Sequence, residues 1–487
     1  MTGGVAATMW RLGFGRSRRA VAVACGLGLS ALLASPSRAQ ESPGASPDVR
    51  EPGRPTIQLT RWTEDWGPLA DERLRTEPFD HLKHVSLSDM PGDRLSLGAN
   101  VRERFEHQDG FLFGAAGARS EDYVLSRVQA HADLRLAGGL QAFAQLEDVR
   151  TSGLDRPGPA DVNRLDLAQA FVGYRGEVGG WGYGLRVGRQ EISFDLERFV
   201  SIREGPNVRQ RFDAVWGELD NGRWSIRALV SEPVQYESGS FDDVGDGRLR
   251  LHAIRVERRG LGPGDLSFYV AHYERAGARF GGASGRERRE ILDVRYFKSL
   301  GRLQLDLEVM GQLGAVAGRK VRAWALGART RYLVAEAGWS PKVGVQFDAA
   351  SGDSKPSDKE VGTFNPLFPN GLYFTQAGYT GYVNLLHLKP TVTLEPSRRL
   401  TLLGGLGLQW RATTADAVYA QPAIPIPGTA GRRGRRTGTY GQARVDWRAT
   451  ANVHAAAEVV HFAIGDAIRR AGGQDSTYAG LEVAVAW

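Results

Sequence analysis

The sequence predicts an all-β fold: an antiparallel transmembrane β-barrel of about 18 strands, with short periplasmic turns and long extracellular loops. Two observations carry this. Apolar and charged residues alternate in segment after segment from Leu95 to Trp487. The connections between those segments alternate between short and long.

Tyr123–Leu136 shows the first pattern. Val124, Ser126, Val128, Ala130, Ala132 and Leu134 share one face, and Arg127, Gln129, His131, Asp133 and Arg135 share the other. Successive side chains on a strand point to opposite faces, so one face suits lipid and the other a wet lumen. Leu303–Val309 and Gly441–Ala449 alternate as cleanly, and Val343–Ala349 sets Val343, Val345, Phe347 and Ala349 opposite Gly344, Gln346 and Asp348. In the stretch after Leu249 the apolar phase slips from Leu251 and Ala253 to Ile254 and Val256, which predicts a bulge.

Gly138-Gly139, Asp220-Asn221-Gly222, Leu300-Gly301, Pro396–Arg399 and Thr450–Asn452 read as tight hairpin turns. Between them lie longer polar links at 108–122, 151–165, 192–211, 232–247, 276–288, 351–380 and 413–436. An outer-membrane barrel has this asymmetry, and a soluble protein with the same strands is the alternative.

Residues 1–39 read as a secretory signal: Arg11, Arg16, Arg18 and Arg19, then an apolar run Ala20–Ala34, then Ser37-Arg38-Ala39. That run is short of the ~20 residues a membrane helix needs. Cleavage near Ala39 removes Cys25, the single cysteine, and with it disulfides, thiolate metal sites and cysteine nucleophiles. It also removes five arginines and no acid, leaving 57 basic residues against 55 acidic ones, so net charge gives no reason to expect nucleic acid as a partner. Gln40 to about Pro55 reads as a disordered lead-in. Thr56–Asp93, with Trp62, Trp66 and Phe79, reads as an extension lying either in the periplasm or in the lumen, before a barrel domain at 95–487.

Several stretches resemble the alginate export family of outer-membrane barrels. They are Arg61-Trp62-Thr63-Glu64-Asp65-Trp66 and Phe79–Val85, Leu95–Glu106, Leu185–Glu191, Ser201–Arg209 with Phe212-Asp213, and Gly362–Phe374. The resemblance implies an 18-stranded outer-membrane channel that exports an acidic, alginate-like polysaccharide through an arginine-lined lumen. No long periplasmic loop between the late strands is present to act as a gate. A diffusion porin for small organic anions is the alternative within transport.

A polymer with a carboxylate on each sugar needs cations spaced along its path, each binding weakly enough to release it. Arginine dominates the basic residues, with only seven lysines, and its planar fork matches a carboxylate. By strand parity, Arg102, Arg104, Arg127, Arg135, Arg186, Arg295, Arg444 and Arg448 fall on lumen faces. The alternative for each is an arginine paired to a carboxylate that merely solvates the interior. Around Gly205-Pro206-Asn207, residues 189–213 crowd Arg189, Glu191, Asp195, Arg198, Arg203, Glu204, Arg209, Arg211 and Asp213. This stretch is expected to fold into the mouth and form the constriction, with Arg203 and Arg209 facing the solute; an extracellular loop held by its own salt bridges is the alternative.

Phe364–Pro369 reads as a loop packing on itself or as an aromatic slide for sugars, and Arg432, Arg433, Arg435 and Arg436 as a contact for lipopolysaccharide phosphates, with gathering of anionic polymer as the alternative. The terminal aromatic, Trp487, resembles the signal read by the barrel-insertion machinery, and a monomer in the outer-membrane lipid is expected. An outer-membrane enzyme is the rival class. No Gly-x-Ser-x-Gly, His-Glu-x-x-His or phosphate-binding glycine loop occurs, and no metal or cofactor is expected. His131, His252, His272 and His454 read as lumen-facing, with none paired at ligand spacing.

Overall fold

The computed structural model describes residues 53–487 apart from 116, 118, 281 and 337. The expected signal peptide, Cys25 and most of the lead-in lie outside the described residues. Eighteen long strands form one closed antiparallel barrel. The first six are β1 (Arg94–Gln108), β2 (Glu121–Arg135), β3 (Leu140–Ser152), β4 (Asn163–Val178), β5 (Trp181–Gln190) and β6 (Phe212–Asp220). They continue as β7 (Trp224–Gln235), β8 (Leu249–Leu261), β9 (Gly264–Phe280), β10 (Ala283–Leu300), β11 (Leu303–Val316) and β12 (Arg319–Leu333). The last six are β13 (Lys342–Ala350), β14 (Leu385–Ser397), β15 (Leu400–Trp410), β16 (Arg436–Arg448), β17 (Val453–Ile464) and β18 (Ser476–Ala486). Each pairs with its sequence neighbours, and β18 closes on β1 with Asn100 opposite Ala486 and Gln108 opposite Tyr478. Closure leaves no sheet edge open, which a bilayer demands. No helix among the described residues is long and apolar enough to cross a membrane.

The alternation sorts as expected on most strands. Val124 and Val128 are exposed on the outside while Arg127, Gln129 and Asp133 are buried inside. Leu307 and Val309 face out and Asp306 and Glu308 face in. Leu481, Val483 and Val485 on the last strand face out.

The phase slip at Ala253 is not a bulge. From Leu249 to Arg258 the pairing with β9 runs without a break, and the register shifts only beyond Arg258. Leu251 and Ala253 instead point inward, and Ile254 points out at 58% exposure. The lumen is apolar at that level, and its contents explain why. Loops 191–211 and 351–384 fold into the barrel, so that Phe194, Phe199, Phe364, Phe368, Tyr373 and Tyr382 form one buried cluster with Leu251, Ile291 and Met310 of the wall. The loops also bond to each other: Ser201 N–H donates to the Phe368 carbonyl at 3.0 Å, and Phe368 N–H to the Phe199 carbonyl at 2.8 Å. Phe364 and Phe368 therefore pack in a core instead of lining a slide.

The polar link expected at 276–288 is another correction, because strand runs to Phe280 and resumes at Ala283. Outward residues change from apolar to polar along one row here. Ile254, Val270 and Leu292 are register partners, and so are His252, His272 and Glu290 one step further toward the long-loop end. Above that row the hairpin stands clear of the lipid band, where outward charge meets water. For the same reason His252 and His272 lie outside the wall; only His131 and His454 of the four share the inward parity.

Arg54 is buried and forks onto Asp80 at 2.6 Å. The extension then enters the lumen from the short-turn end. Arg135 donates to the carbonyls of Trp62 and Glu64 at 2.9 and 2.5 Å, and Gln141 to that of Trp62 at 3.1 Å. Arg61 donates to the Trp487 carbonyl at 2.7 Å, beside the seam where β18 meets β1. The longest connection at the short-turn end is 334–341.

Candidate functional site

Loop 191–211 is fixed in the lumen by one amide and one carboxylate. Asn207 is fully buried; its Nδ2 donates to the carbonyls of Ser126, Arg150 and Asp161 at 3.0–3.3 Å, and its Oδ1 accepts from Arg102 at 3.0 Å. Glu204 accepts from Arg102 at 3.3 Å and also from Arg127 and Arg209. Burial works to raise the Glu204 carboxyl, but Arg127, Arg209 and Arg102 outweigh it and hold it well below the ordinary carboxylate range. Arg209 also reaches Glu191 at 3.4 Å and the Leu59 carbonyl at 3.3 Å, so the loop touches the N-terminal extension inside the barrel. Arg211 pairs with Glu147 of β3 at 2.5 Å. Charges taken out of water must be paired, and this loop meets its partners only by folding inward.

The other end of the loop is pinned in the same way. Asp195 takes Arg255 of β8 at 2.6 Å and Arg295 of β10 at 2.9 Å. Arg198 reaches Asp306 at 2.7 Å, Glu308 at 2.5 Å and the Tyr373 hydroxyl at 2.6 Å. Tyr373 donates on to Asp348 of β13 at 2.8 Å, which joins the second loop to the same network. Glu197 sits between the loops and accepts from Asn370 Nδ2 at 3.1 Å. Burial, then the neighbouring Glu204, push its carboxyl up to about 7.

The sequence-selected residues thus divide. Arg102, Arg127, Glu204, Asn207 and Arg209 come together as the anchor at one end of the loop, and Arg295 holds its other end through Asp195, with their charges neutralised. Arg104 and Arg444 form a separate knot within the wall: Arg104 reaches Glu106 at 2.6 Å and Glu458 at 2.5 Å, and Arg444 reaches Glu458 at 2.6 Å. Arg189 is not in the lumen. It has the parity of the exposed Leu185 and Val187, and it pairs on the outer rim with Asp213 at 2.9 Å. Arg209, expected to face the solute, is buried in the anchor, whereas Arg203 is half-buried and has no carboxylate partner among the described residues.

Arg186 is inward and buried, yet no carboxylate pairs with it among the described residues. Its guanidinium lies 3.8 Å from the ring centroid of Trp62 and 5.2 Å from that of Trp216. Inward Arg175 on β4 and Arg227 on β7 stand nearby; Arg227 and Glu218 are 4.0 Å apart, and Arg175 has no carboxylate partner among the described residues. Farther around the wall, Arg329 lies over Tyr373 at 5.3 Å, and Lys389 donates only to the carbonyls of Tyr373 and Phe374. The sequence selection above omits Arg175, Arg227, Arg329 and Lys389. Parity alone would have placed them inside, but local sequence does not mark which inward cations lack a partner.

One acidic trio among the described residues is compact enough for a metal: Asp166, Asp242 and Asp243, with one oxygen of each within 4.8 Å of the others. It sits by loop 236–248, and Asp166 Oδ2 already accepts the backbone N–H groups of Asp242 and Asp243 at 2.9 and 3.2 Å.

Residues 93–482 match the family model described as alginate export. No curated protein sequence matches the chain. Among solved structures, Acinetobacter baumannii OccAB1 aligns with a TM-score of 0.53 or better, namely 0.57, at 11% identity, covering 84% of this chain and 99% of that one. Pseudomonas aeruginosa OpdO aligns with a TM-score of 0.53 at 13% identity, covering 81% and 97%. Pseudomonas aeruginosa OccK2 (OpdF), solved in complex with glucuronate, aligns with a TM-score of 0.53 at 13% identity, covering 80% and 97%. At these identities the likeness is one of fold.

Proposed function

The chain belongs to the alginate export family of outer-membrane β-barrels, and from that premise we propose that it is a channel selective for carboxylated solutes of the size of a sugar acid. The observation that carries this reading is the set of inward cations left without a carboxylate partner among the described residues, Arg175, Arg186, Arg329 and Lys389, on a wall where Arg102, Arg104, Arg127, Arg255, Arg295 and Arg444 are each paired with a carboxylate. An anion moving along such a wall meets in turn cations that no carboxylate neutralises, none of which forms a closed cage. The structurally similar OccK2 was solved with glucuronate, a solute of this class. The small size is supported by the filling of the lumen by loops 191–211 and 351–384 and the extension around Trp62.

A second reading, export of an acidic polysaccharide, is favoured by the family match. It requires the extension and at least one loop to leave the lumen. Single-channel recording under a salt gradient, with uronate oligomers of increasing length on one side, separates the two. Anion selectivity with brief block by the monomer and exclusion of longer chains supports the small-solute channel. Block that deepens with length and clears by passage to the far side supports polymer export. Cation selectivity overturns both.

A further inference from the structure

We infer that Arg175, Arg186 and Arg227 form a binding site for one carboxylate of a sugar acid, and that the indole of Trp62 is its removable cover. The inference rests on the reading of the barrel as an anion channel and names a specific site within it.

The three arginines converge from neighbouring strands. Arg175 is opposite Gly184, Gly184 is opposite Glu218, and Glu218 is opposite Arg227, so these four lie in one row across β4 to β7. Arg186 stands one inward position further along β5, opposite Trp216. Gly184 contributes no side chain to the row, and the Glu218 side chain leans over it: a Cβ there would meet Glu218 Cγ at 3.0 Å and Oε1 at 3.1 Å. Glu218 is the one carboxylate in the row, which leaves the group with excess positive charge. Arg186 is 7% exposed and its Nη1 has no hydrogen-bond partner, although the side chain is an obligate donor. A guanidinium with an unfilled fork in partial burial is suited to a carboxylate, and the faces of Phe171 and Trp216 beside it suit the apolar face of a sugar ring.

Trp62 occupies that position now. Its ring stacks on Arg186 at 3.8 Å and meets Phe171 edge-on at 5.8 Å. The cover is poorly satisfied, because the Trp62 indole N–H is itself buried with no acceptor. Its backbone is held independently, through the carbonyl that Arg135 and Gln141 both bond. The indole can therefore swing off Arg186 by side-chain rotation while the extension stays in place. A carboxylate that pairs with Arg186 replaces a cation–π contact by a charge-assisted hydrogen bond, the stronger of the two.

The test uses the full-length protein in detergent, with glucuronate as the probe in calorimetric titration, and the same preparations in planar bilayers. Trp62→Ala removes the competing cover, so glucuronate is expected to bind about 3- to 10-fold more tightly, while Trp62→Phe stays near wild type. Arg186→Gln is expected to weaken binding by about 10-fold or more, with Arg175→Gln intermediate. Retention of the compact, heat-modifiable barrel on gels checks that each variant folds. Unchanged or weaker binding in Trp62→Ala overturns the cover, and unchanged binding in Arg186→Gln overturns the site. If those results come with an anion-selective wild-type channel, only this inference fails. If the wild type neither prefers anions nor binds glucuronate, the channel reading fails with it.

Discussion

Arg102 on the first strand donates from Nη2 to Oδ1 of Asn207 at 3.0 Å, joining positions 105 residues apart in the chain. With three more bonds from Asn207 Nδ2 to backbone carbonyls, the loop is located by atoms that no side-chain change in the wall can remove. The loop is thereby held in the lumen as part of the barrel.

Asn207→Ala should release that loop without unfolding the strands. Each buried acceptor left unpaired costs about 1–3 kcal/mol, enough to make the loop's docking the weakest element of the fold. Limited proteolysis is expected to cut within 191–211 in the variant and not in the wild type, with heat-modifiable migration on gels unchanged. A variant as resistant as wild type would mean that the ion pairs alone hold the loop.

Glu204→Gln should do more. It leaves Arg102, Arg127 and Arg209 together without their shared carboxylate, and breaking a buried ion pair in this way costs about 3–5 kcal/mol. Reversal potentials under a salt gradient are expected to shift toward anion permeation, and open-channel noise should rise as the loop loosens. No shift in reversal potential would take this cluster out of the conduction path.

The two loop arginines should respond differently to charge reversal. Arg203→Glu replaces a cation with no carboxylate partner, so it is expected to lower anion preference with little change in thermal stability. Arg209→Glu places a third acid beside Glu204 and Glu191, so it is expected to undock the loop and lower stability. Conductance together with thermal melting separates the cases, and equal effects of both substitutions would contradict this assignment.

Selectivity should depend on pH through Glu197. Burial and Glu204 raise its carboxyl to about 7 in the folded loop, above the unfolded value of 4.5. Its contribution to loop docking is therefore complete below about pH 4.5 and is lost as pH rises through about 7. The same rise adds a negative charge to the lumen, so anion preference is expected to be higher at pH 6 than at pH 8. Glu197→Gln should remove the dependence and behave like the low-pH channel at both values. A wild type with flat selectivity over this range would exclude Glu197 as the titrating group.

The wall was legible in the sequence because a strand's period of two needs no knowledge of its neighbours. Val124 and Val128 against Arg127 and Gln129 already separate lipid from lumen. The same rule fails at Leu251 and Ala253, where apolar residues point inward because loops from elsewhere in the chain fill the lumen at that level. It also misplaces His252, whose outward position follows only once that inward apolar row is recognised. Arg189 shows two local signals in conflict: parity with Val187 puts it outside, the charge density of 189–213 puts it inside, and Asp213 on the outer rim decides for parity.

By itself, then, the sequence determined the barrel, its strand number, most of the inward and outward faces, and the crowding of charge at 189–213. Tertiary structure alone decided that both long loops and the Trp62 segment lie inside, and which arginines are spent on structure. The reason is the range of the deciding contacts. Glu204 neutralises Arg127 across 77 positions, and Arg104 finds Glu458 across 354. Periodicity reports which way a side chain points, whereas the charge it keeps depends on what the folded chain brings opposite it.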